Sequence, residues 1–121
     1  MKRLYEHPDD FEATITILTT EEGGRETPPF NGIRWDFQYK ENNPEGEIYM
    51  IWPEFIDENN DAIEKGIPLT GTLKARMHIV NQEMKNIVHV PRMQVGTEFY
   101  SVEGPKKVAK GVITKLTGLL Q

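Results

Sequence analysis

Residues 21–32, EEGGRETPPFNG, join two segments that alternate apolar and polar side chains. The two adjacent glycines allow backbone angles that other residues avoid, and the Pro-Pro pair stiffens the exit from the loop. Phe30 is an apolar anchor at a position where most loops are polar. The composition therefore predicts a loop of defined shape between two strands.

The segments on either side of this loop alternate with a period of two, which is typical of strands with one buried face. Residues 11–17 and 33–39 place their large apolar side chains on a single face: Phe11, Ala13, Ile15 and Ile17 in the first, and Ile33, Trp35, Phe37 and Tyr39 in the second. Residues 47–52 are apolar on both faces, which predicts a strand that is buried more deeply or covered by a partner. We expect Pro53 to limit its continuation.

The second half of the chain contains four more candidate strands, at residues 69–79, 86–90, 96–102 and 108–116. Only residues 60–66 have a helical pattern, of one or two turns. The sequence thus predicts an all-β protein with six or seven antiparallel strands in a closed or nearly closed barrel and at most one short helix. We expect residues 1–10 to form an N-terminal extension and residues 11–121 to form a single domain.

Composition disfavours several classes of function. The formal net charge of −5 does not favour attraction to phosphate backbones or anionic lipid. Because the chain has no cysteine, it has no disulfide, no thiol nucleophile and no cysteine-based zinc site. The first ten residues lack the apolar core of a signal peptide, and no apolar run is long enough to span a bilayer. We expect a cytoplasmic protein that does not bind membranes.

Candidate catalytic and metal-binding residues are sparse. Ser101 is the only serine, and its place in a candidate strand shows no sign of activation. The three histidines are scattered, without the spacing of helical metal ligands. Asp57, Asn59 and Asp61 alternate like the start of a calcium loop, but Ala62 stands where that loop needs glycine, which favours a solvated acidic loop. We expect no enzyme activity, no cofactor and no bound metal.

Two blocks of residues carry a resemblance to a known family. The first starts at Phe11, includes Ile17-Leu18 and residues 22–32, and ends at Arg34; the second spans residues 96–115 and contains Glu103-Gly104. In the same order and at nearly the same separation, they resemble the opening and closing strands of the third, C-terminal domain of bacterial elongation factor Tu. The middle of the chain is longer and different. The resemblance implies a six-stranded antiparallel barrel that stands alone, without the GTPase domain.

The resemblance also implies partners. In elongation factor Tu this domain helps to grip the T-stem of aminoacyl-tRNA and packs against the nucleotide-binding domain and its exchange factor. Here no Gly-x-x-x-x-Gly-Lys-Ser/Thr loop occurs, so we expect no GTP binding. Arg25, Glu103 and Gly104 match family positions that approach the T-stem. Together with Lys106 they are the candidate nucleic-acid-binding residues.

Other residues oppose RNA binding. Glu26 replaces a histidine of the family pattern and Asp36 replaces a glutamine, so both add negative charge towards a polyanion. The glycines beside Arg25 could form an anion-binding nest, but the surrounding glutamates favour a structural turn. The lysines of residues 106–115 either compensate in part or form the solvated face of an edge strand.

Residues 47–52 suggest a different kind of surface. Because both faces of this segment are apolar, one row of side chains should remain outside the barrel, and we assign that row to Tyr49 and Ile51. An exposed apolar row beside an acidic loop indicates a protein interface, either with a translation component or with a second copy of the chain. The sequence therefore predicts a non-enzymatic module that docks a protein, with tRNA binding as the alternative.

Overall fold

One curled sheet of six antiparallel strands dominates the computed structural model, which describes residues 2–119. The strands in chain order are β1 (Phe11–Ile17), β2 (Asp36–Tyr39), β3 (Ile51–Ile56), β4 (Thr72–Ile79), β5 (Glu98–Glu103) and β6 (Lys106–Leu116). A short helical segment separates β4 from β5, with one α-helical turn, α1 (Gln82–Met84), continued by a π-helical turn at Lys85–His89. The predicted all-β class is confirmed.

β1 lies inside the sheet, whose strand order is β2-β5-β6-β1-β4-β3. The alternating pattern of β1 buries Phe11, Ala13 and Ile15 completely, as predicted. Aromatic rings fill the space opposite β1, where Phe37 and Phe99 stack with their ring centroids 4.6 Å apart. Such pairs add to the free energy gained by removing the rings from water, so the aromatic face that precedes and forms β2 is part of the core.

The sheet curls until its two edge strands approach each other. Phe37 of β2 and Tyr49, just before β3, exchange two backbone hydrogen bonds of 2.8 Å and form a single bridge. The described sheet is therefore a curled half-barrel, whereas the sequence predicted a closed or nearly closed barrel. The contact is this short because β2 has only four residues.

The side chain of Asn31 covers the outer edge of β3. Its Nδ2 donates to the carbonyl oxygens of Phe55 and Ile63, and its Oδ1 accepts from the Phe55 N–H, all at 2.9 Å. Pro53 offers no N–H on the same strand. Because the Phe55 backbone groups are hydrogen-bonded to Asn31 and Pro53 has no N–H, this edge of β3 is a poor template for pairing with another strand.

Two local predictions are wrong. Residues 60–66 are not helical; they form a turn region in which Ala62 bridges to Ile56. Residues 86–90 do not form a strand, because the chain there continues the helical segment whose start is capped by the Asn81 side chain, 3.1 Å from the Met84 N–H. The cap satisfies an amide at the helix start that would otherwise lack a partner.

The boundaries of β3 also differ from the prediction. β3 starts at Ile51 and continues through Pro53 to Ile56, whereas the sequence predicted a strand over residues 47–52. Proline is tolerated there because β3 is an edge strand, so a missing N–H can face away from the neighbouring β4. The division into an extension of residues 1–10 and a domain of residues 11–121 stays a prediction.

Candidate binding surfaces

The four residues predicted to bind nucleic acid come together at one end of the sheet. Arg25, from the glycine loop, places its Nε 3.0 Å from Oε2 of Glu103 at the end of β5. The same oxygen accepts a 2.7 Å hydrogen bond from the indole N–H of Trp35. Gly104 follows in the turn between β5 and β6, and Lys106 is the first residue of β6, opposite Glu103 in the register. We call Arg25, Glu103, Gly104 and Lys106 the loop cluster.

Within the loop cluster, the positive charge of Arg25 is partly neutralised by Glu103. The guanidinium of Arg25 is paired with a carboxylate, so part of its positive charge is satisfied before any ligand arrives. Thr20 Oγ1 donates to the Arg25 carbonyl at 2.8 Å, which fixes the loop backbone. These contacts give Arg25 a structural role in holding the loop against the β5–β6 turn.

The glycine loop folds tightly because Gly24 approaches the preceding strand. A Cβ atom at this position would lie 2.3 Å from the Leu18 carbonyl oxygen, so the backbone leaves no room for a side chain. An apolar groove of about 230 Å³ opens beneath the loop, with Pro28, Pro29 and Leu69 among its lining residues. Phe30, expected to be an anchor, is instead 47% exposed.

The outward row assigned to Tyr49 and Ile51 is wrong. Ile51 has no exposed surface, and Tyr49 is partly buried, with its ring 4.7 Å from that of His89. The side chains of this segment alternate between two faces as predicted, but Tyr49 and Ile51 belong to the inner face and their neighbours to the outer face. The bridge between Phe37 and Tyr49 sets the register, and it turns Tyr49 and Ile51 towards the core.

The exposed row consists of the neighbours of these residues. Ile48 and Met50 are 46% and 48% exposed, and Trp52 continues the same face, half-buried, into β3. Val80, 39% exposed, lies beside this row because its N–H donates to the Met50 carbonyl at 3.1 Å. We call Ile48, Met50, Trp52 and Val80 the apolar row.

A cation, Arg34, lies beside the apolar row. The guanidinium carbon of Arg34 lies 4.6 Å from the centre of the Trp52 ring, an arrangement in which the ring face attracts the charge. A groove of about 400 Å³ lies next to it, with Pro8, Trp52 and Val80 in its lining. Trp, Met and Arg are enriched at protein interfaces, so the composition of this surface is that of a contact site.

A buried ionic cluster beneath the N-terminal residues was missed by the sequence analysis. Arg76 of β4 donates to both carboxylate oxygens of Glu54 in β3, at 2.9 and 3.0 Å, and His78 Nε2 lies 2.9 Å from Oε1. All three side chains are at most 3% exposed. Alternation places Arg76 and His78 on the outer face of β4, which the sequence alone predicts to be solvated. No local pattern signals that Glu54 and the N-terminal residues cover it.

The first residues of the chain provide this cover. The Leu4 N–H donates to Glu54 Oε2 at 2.6 Å, and the Lys2 carbonyl accepts from Arg76 at 3.1 Å. The ring of Tyr5 packs against His78. Burial of the Glu54 carboxyl would raise its pKa, but the hydrogen bonds from His78, Arg76 and the backbone outweigh burial and lower the pKa to about 2.

His89 is buried at the end of the helical segment. Its Nδ1 is 2.7 Å from the Tyr39 hydroxyl, while no hydrogen-bond partner for its Nε2 occurs in the part of the chain that the structure describes. Burial, assisted by the nearby Arg92 charge, lowers the pKa of His89 to about 4. Arg92 also packs over the Tyr39 ring, 3.8 Å from its centre. The imidazole is therefore neutral at physiological pH.

The acidic loop after β3 uses its first carboxylate to hold its own backbone. Asp57 Oδ1 accepts from the N–H groups of Asn59 and Asp61 at 2.8 and 3.0 Å. Within residues 2–119, no group of three or more His, Asp or Glu side chains is placed to hold a metal ion. In the same part of the chain, no helix is long and apolar enough to cross a membrane.

The fold and these surfaces define a class: an antiparallel β module that presents a shaped loop at one end and an apolar row beside one edge strand. A family model for the elongation factor Tu C-terminal domain matches residues 5–117. The chain belongs to this family, which confirms the resemblance seen in the sequence. Membership makes it a β-barrel module related to translation factors, in a family of non-catalytic binding domains.

Proposed function

We propose that this protein is a binding module that docks a protein partner, in translation, through the apolar row. The observation that carries the proposal is the exposure of Ile48 and Met50 beside the Arg34–Trp52 pair. Scattered apolar side chains on a surface are normal, but here four neighbouring positions share one face and the Arg34 cation lies over the Trp52 ring. Removing these side chains from water against a partner would lower the free energy of the complex.

The edge of β3 argues for docking through side chains. Since Asn31 and Pro53 leave few free hydrogen-bonding groups there, a partner gains little by adding a strand. The apolar row lies on the sheet face beside this edge and stays open. We therefore expect a side-chain interface with Met50 near its centre.

A charge in the centre of the apolar row tests this proposal. We expect Met50→Glu to weaken partner binding by about 2 kcal/mol, or roughly thirtyfold, because a buried unpaired carboxylate opposes docking. The measurement is chemical cross-linking in native extract followed by mass spectrometry, with wild type and variant compared at equal concentration.

Ile67→Glu is the matched control, because Ile67 is 49% exposed against 48% for Met50 but lies outside the apolar row. A partner retained by wild type and Ile67→Glu and lost with Met50→Glu supports the proposal. Equal capture by all three proteins, or equal loss with both variants, contradicts it.

The alternative function is tRNA binding through the loop cluster, which is favoured by the convergence of Arg25, Glu103, Gly104 and Lys106. We expect little retention of aminoacylated or bare tRNA in filter binding at about 0.15 M salt, since Arg25 is already paired and the net charge is −5. Retention that is lost with Arg25→Ala and unchanged with Met50→Glu would favour the RNA role instead.

A further inference from the structure

Asn31 and Gly32 form the only Asn-Gly pair in the chain. In this pair the backbone nitrogen of the glycine reaches the side-chain amide carbon of the asparagine with little steric hindrance. The nitrogen can then displace ammonia, which makes Asn-Gly the most reactive asparagine context in flexible peptides. The structure decides whether this chemistry is available here.

Both residues of the pair are required by the fold. Gly32 has φ +98°, a conformation that residues with a side chain rarely adopt. Asn31 makes the three hydrogen bonds that cover the β3 edge, and it is 4% exposed. Each residue of the reactive Asn-Gly pair therefore has a structural role in the folded protein.

We propose that Asn31 is a conformation-gated deamidation site, protected in the folded protein and reactive when the β3 edge opens. In the open chain, the Gly32 N–H loses its proton and the nitrogen bonds to Asn31 Cγ. The bond from Cγ to Nδ2 breaks, and ammonia leaves with the proton. Water then opens the resulting succinimide at either carbonyl, giving aspartate or isoaspartate. The net reaction consumes one water and releases one ammonia, with no oxidant or reductant.

The folded state protects Asn31 by holding both ends of its side-chain amide. Nδ2, the group that would leave, donates to two carbonyl oxygens, and Oδ1 accepts from the Phe55 N–H. Rotation of the side-chain amide away from these partners breaks all three hydrogen bonds while the β3 groups stay buried. The loss of three such bonds corresponds to a rate at least roughly a hundredfold lower in the folded protein.

The product cannot restore the contact. An aspartate carboxylate has only acceptor oxygens, and one of them would face the Phe55 and Ile63 carbonyl oxygens where Nδ2 donates now. Isoaspartate adds a methylene to the main chain just before Gly32 and displaces the side chain. Each opening that leads to reaction therefore produces a molecule that cannot re-form all three hydrogen bonds at the β3 edge.

Peptide mapping of wild-type protein tests the proposal. Samples kept at neutral pH, folded or unfolded in urea, are digested, and the one-dalton mass increase at Asn31 is measured over time. We expect unfolded protein to react at the rate of a short peptide of the same local sequence, and folded protein at least roughly a hundredfold more slowly. Equal rates in the two states would overturn the proposal.

A second measurement tests the consequence for the fold. Asn31→Asp reproduces one product directly, and Asn31→Ala removes the same hydrogen bonds without adding a charge. We expect the urea midpoint of Asn31→Asp to lie below that of Asn31→Ala, or Asn31→Asp not to fold while Asn31→Ala does. A midpoint for Asn31→Asp equal to wild type would refute the claim that the product cannot re-form the edge. Neither result depends on whether the apolar row binds a partner.

Discussion

Glu54→Ala is expected to lower the free energy of unfolding by about 3–5 kcal/mol, which is the usual cost of removing one partner from a buried ion pair. In the folded protein Glu54 accepts hydrogen bonds from Arg76, His78 and the Leu4 N–H. Without the carboxylate, the buried Arg76 charge loses its two hydrogen bonds to Glu54 and keeps those to the Lys2 and Asn60 carbonyls. Urea unfolding followed by tryptophan fluorescence measures the change.

The matched control is Glu64→Ala. Glu64 also pairs with a cation, Lys2, but both side chains are more than half exposed. Exposed pairs contribute little, so we expect a change of less than about 1 kcal/mol. If Glu54→Ala and Glu64→Ala destabilise the protein equally, the buried cluster does not have the energetic role that its geometry implies.

The N-terminal residues should respond to the same change. Leu4 is tied to the sheet through Glu54, so Glu54→Ala releases one of the contacts that hold residues 2–5 over β4. We expect proteases to cut this segment faster in Glu54→Ala than in Glu64→Ala, because local opening exposes the backbone.

The second large effect is a loss of stability in mild acid. In the folded protein the pKa of His89 is about 4, below the ordinary histidine pKa of 6.5 that holds in the unfolded chain. Above pH 6.5 both states hold the neutral ring, so His89 adds no pH dependence. As the pH falls from 6.5 to 4, the unfolded chain binds a proton that the folded protein does not. The free energy of unfolding should therefore fall by about 3 kcal/mol over this window.

Glu54 extends the loss to lower pH. Its folded pKa of about 2 lies below the ordinary glutamate pKa of 4.5, so its contribution is fully present above pH 4.5 and disappears as the pH falls towards 2. The two groups thus act in successive windows, first His89 and then Glu54. Unfolding in urea at a series of pH values separates them.

His89→Gln tests whether His89 causes the loss of stability between pH 6.5 and 4. Glutamine does not titrate, so the variant should lose most of the pH dependence between pH 6.5 and 4, whatever its stability at neutral pH. A His89→Gln protein with the wild-type slope would show that another group is responsible.

The strands were predictable where burial is one-sided. The limits of β1 agree with the predicted residues 11–17, and β6 contains the predicted strand of residues 108–116. In β1 the side chains alternate between core and solvent, so period two is visible in the sequence. The family resemblance depended on the same segments, and the match over residues 5–117 confirms it.

The prediction failed where contacts distant in sequence decide the structure. Residues 86–90 have the composition of a short strand, but the cap from Asn81 and the burial of His89 stabilise a helical turn. Tyr49 and Ile51 were assigned to the wrong face because an apolar segment on both faces does not reveal which row is inside. A single bridge to Phe37 makes that choice.

The sequence by itself determined the fold class, the position of the central strands and the family, since each depends on local alternation or on the order of motifs along the chain. Only the tertiary structure decided which apolar row faces the solvent, that Arg25 is paired with Glu103, and that Glu54 joins Arg76 and His78 beneath the N-terminal residues. The physical reason is that register, ion pairing and burial depend on which residues meet across the sheet. Alternation along one strand determines its two faces, and the neighbouring strands determine which face is buried.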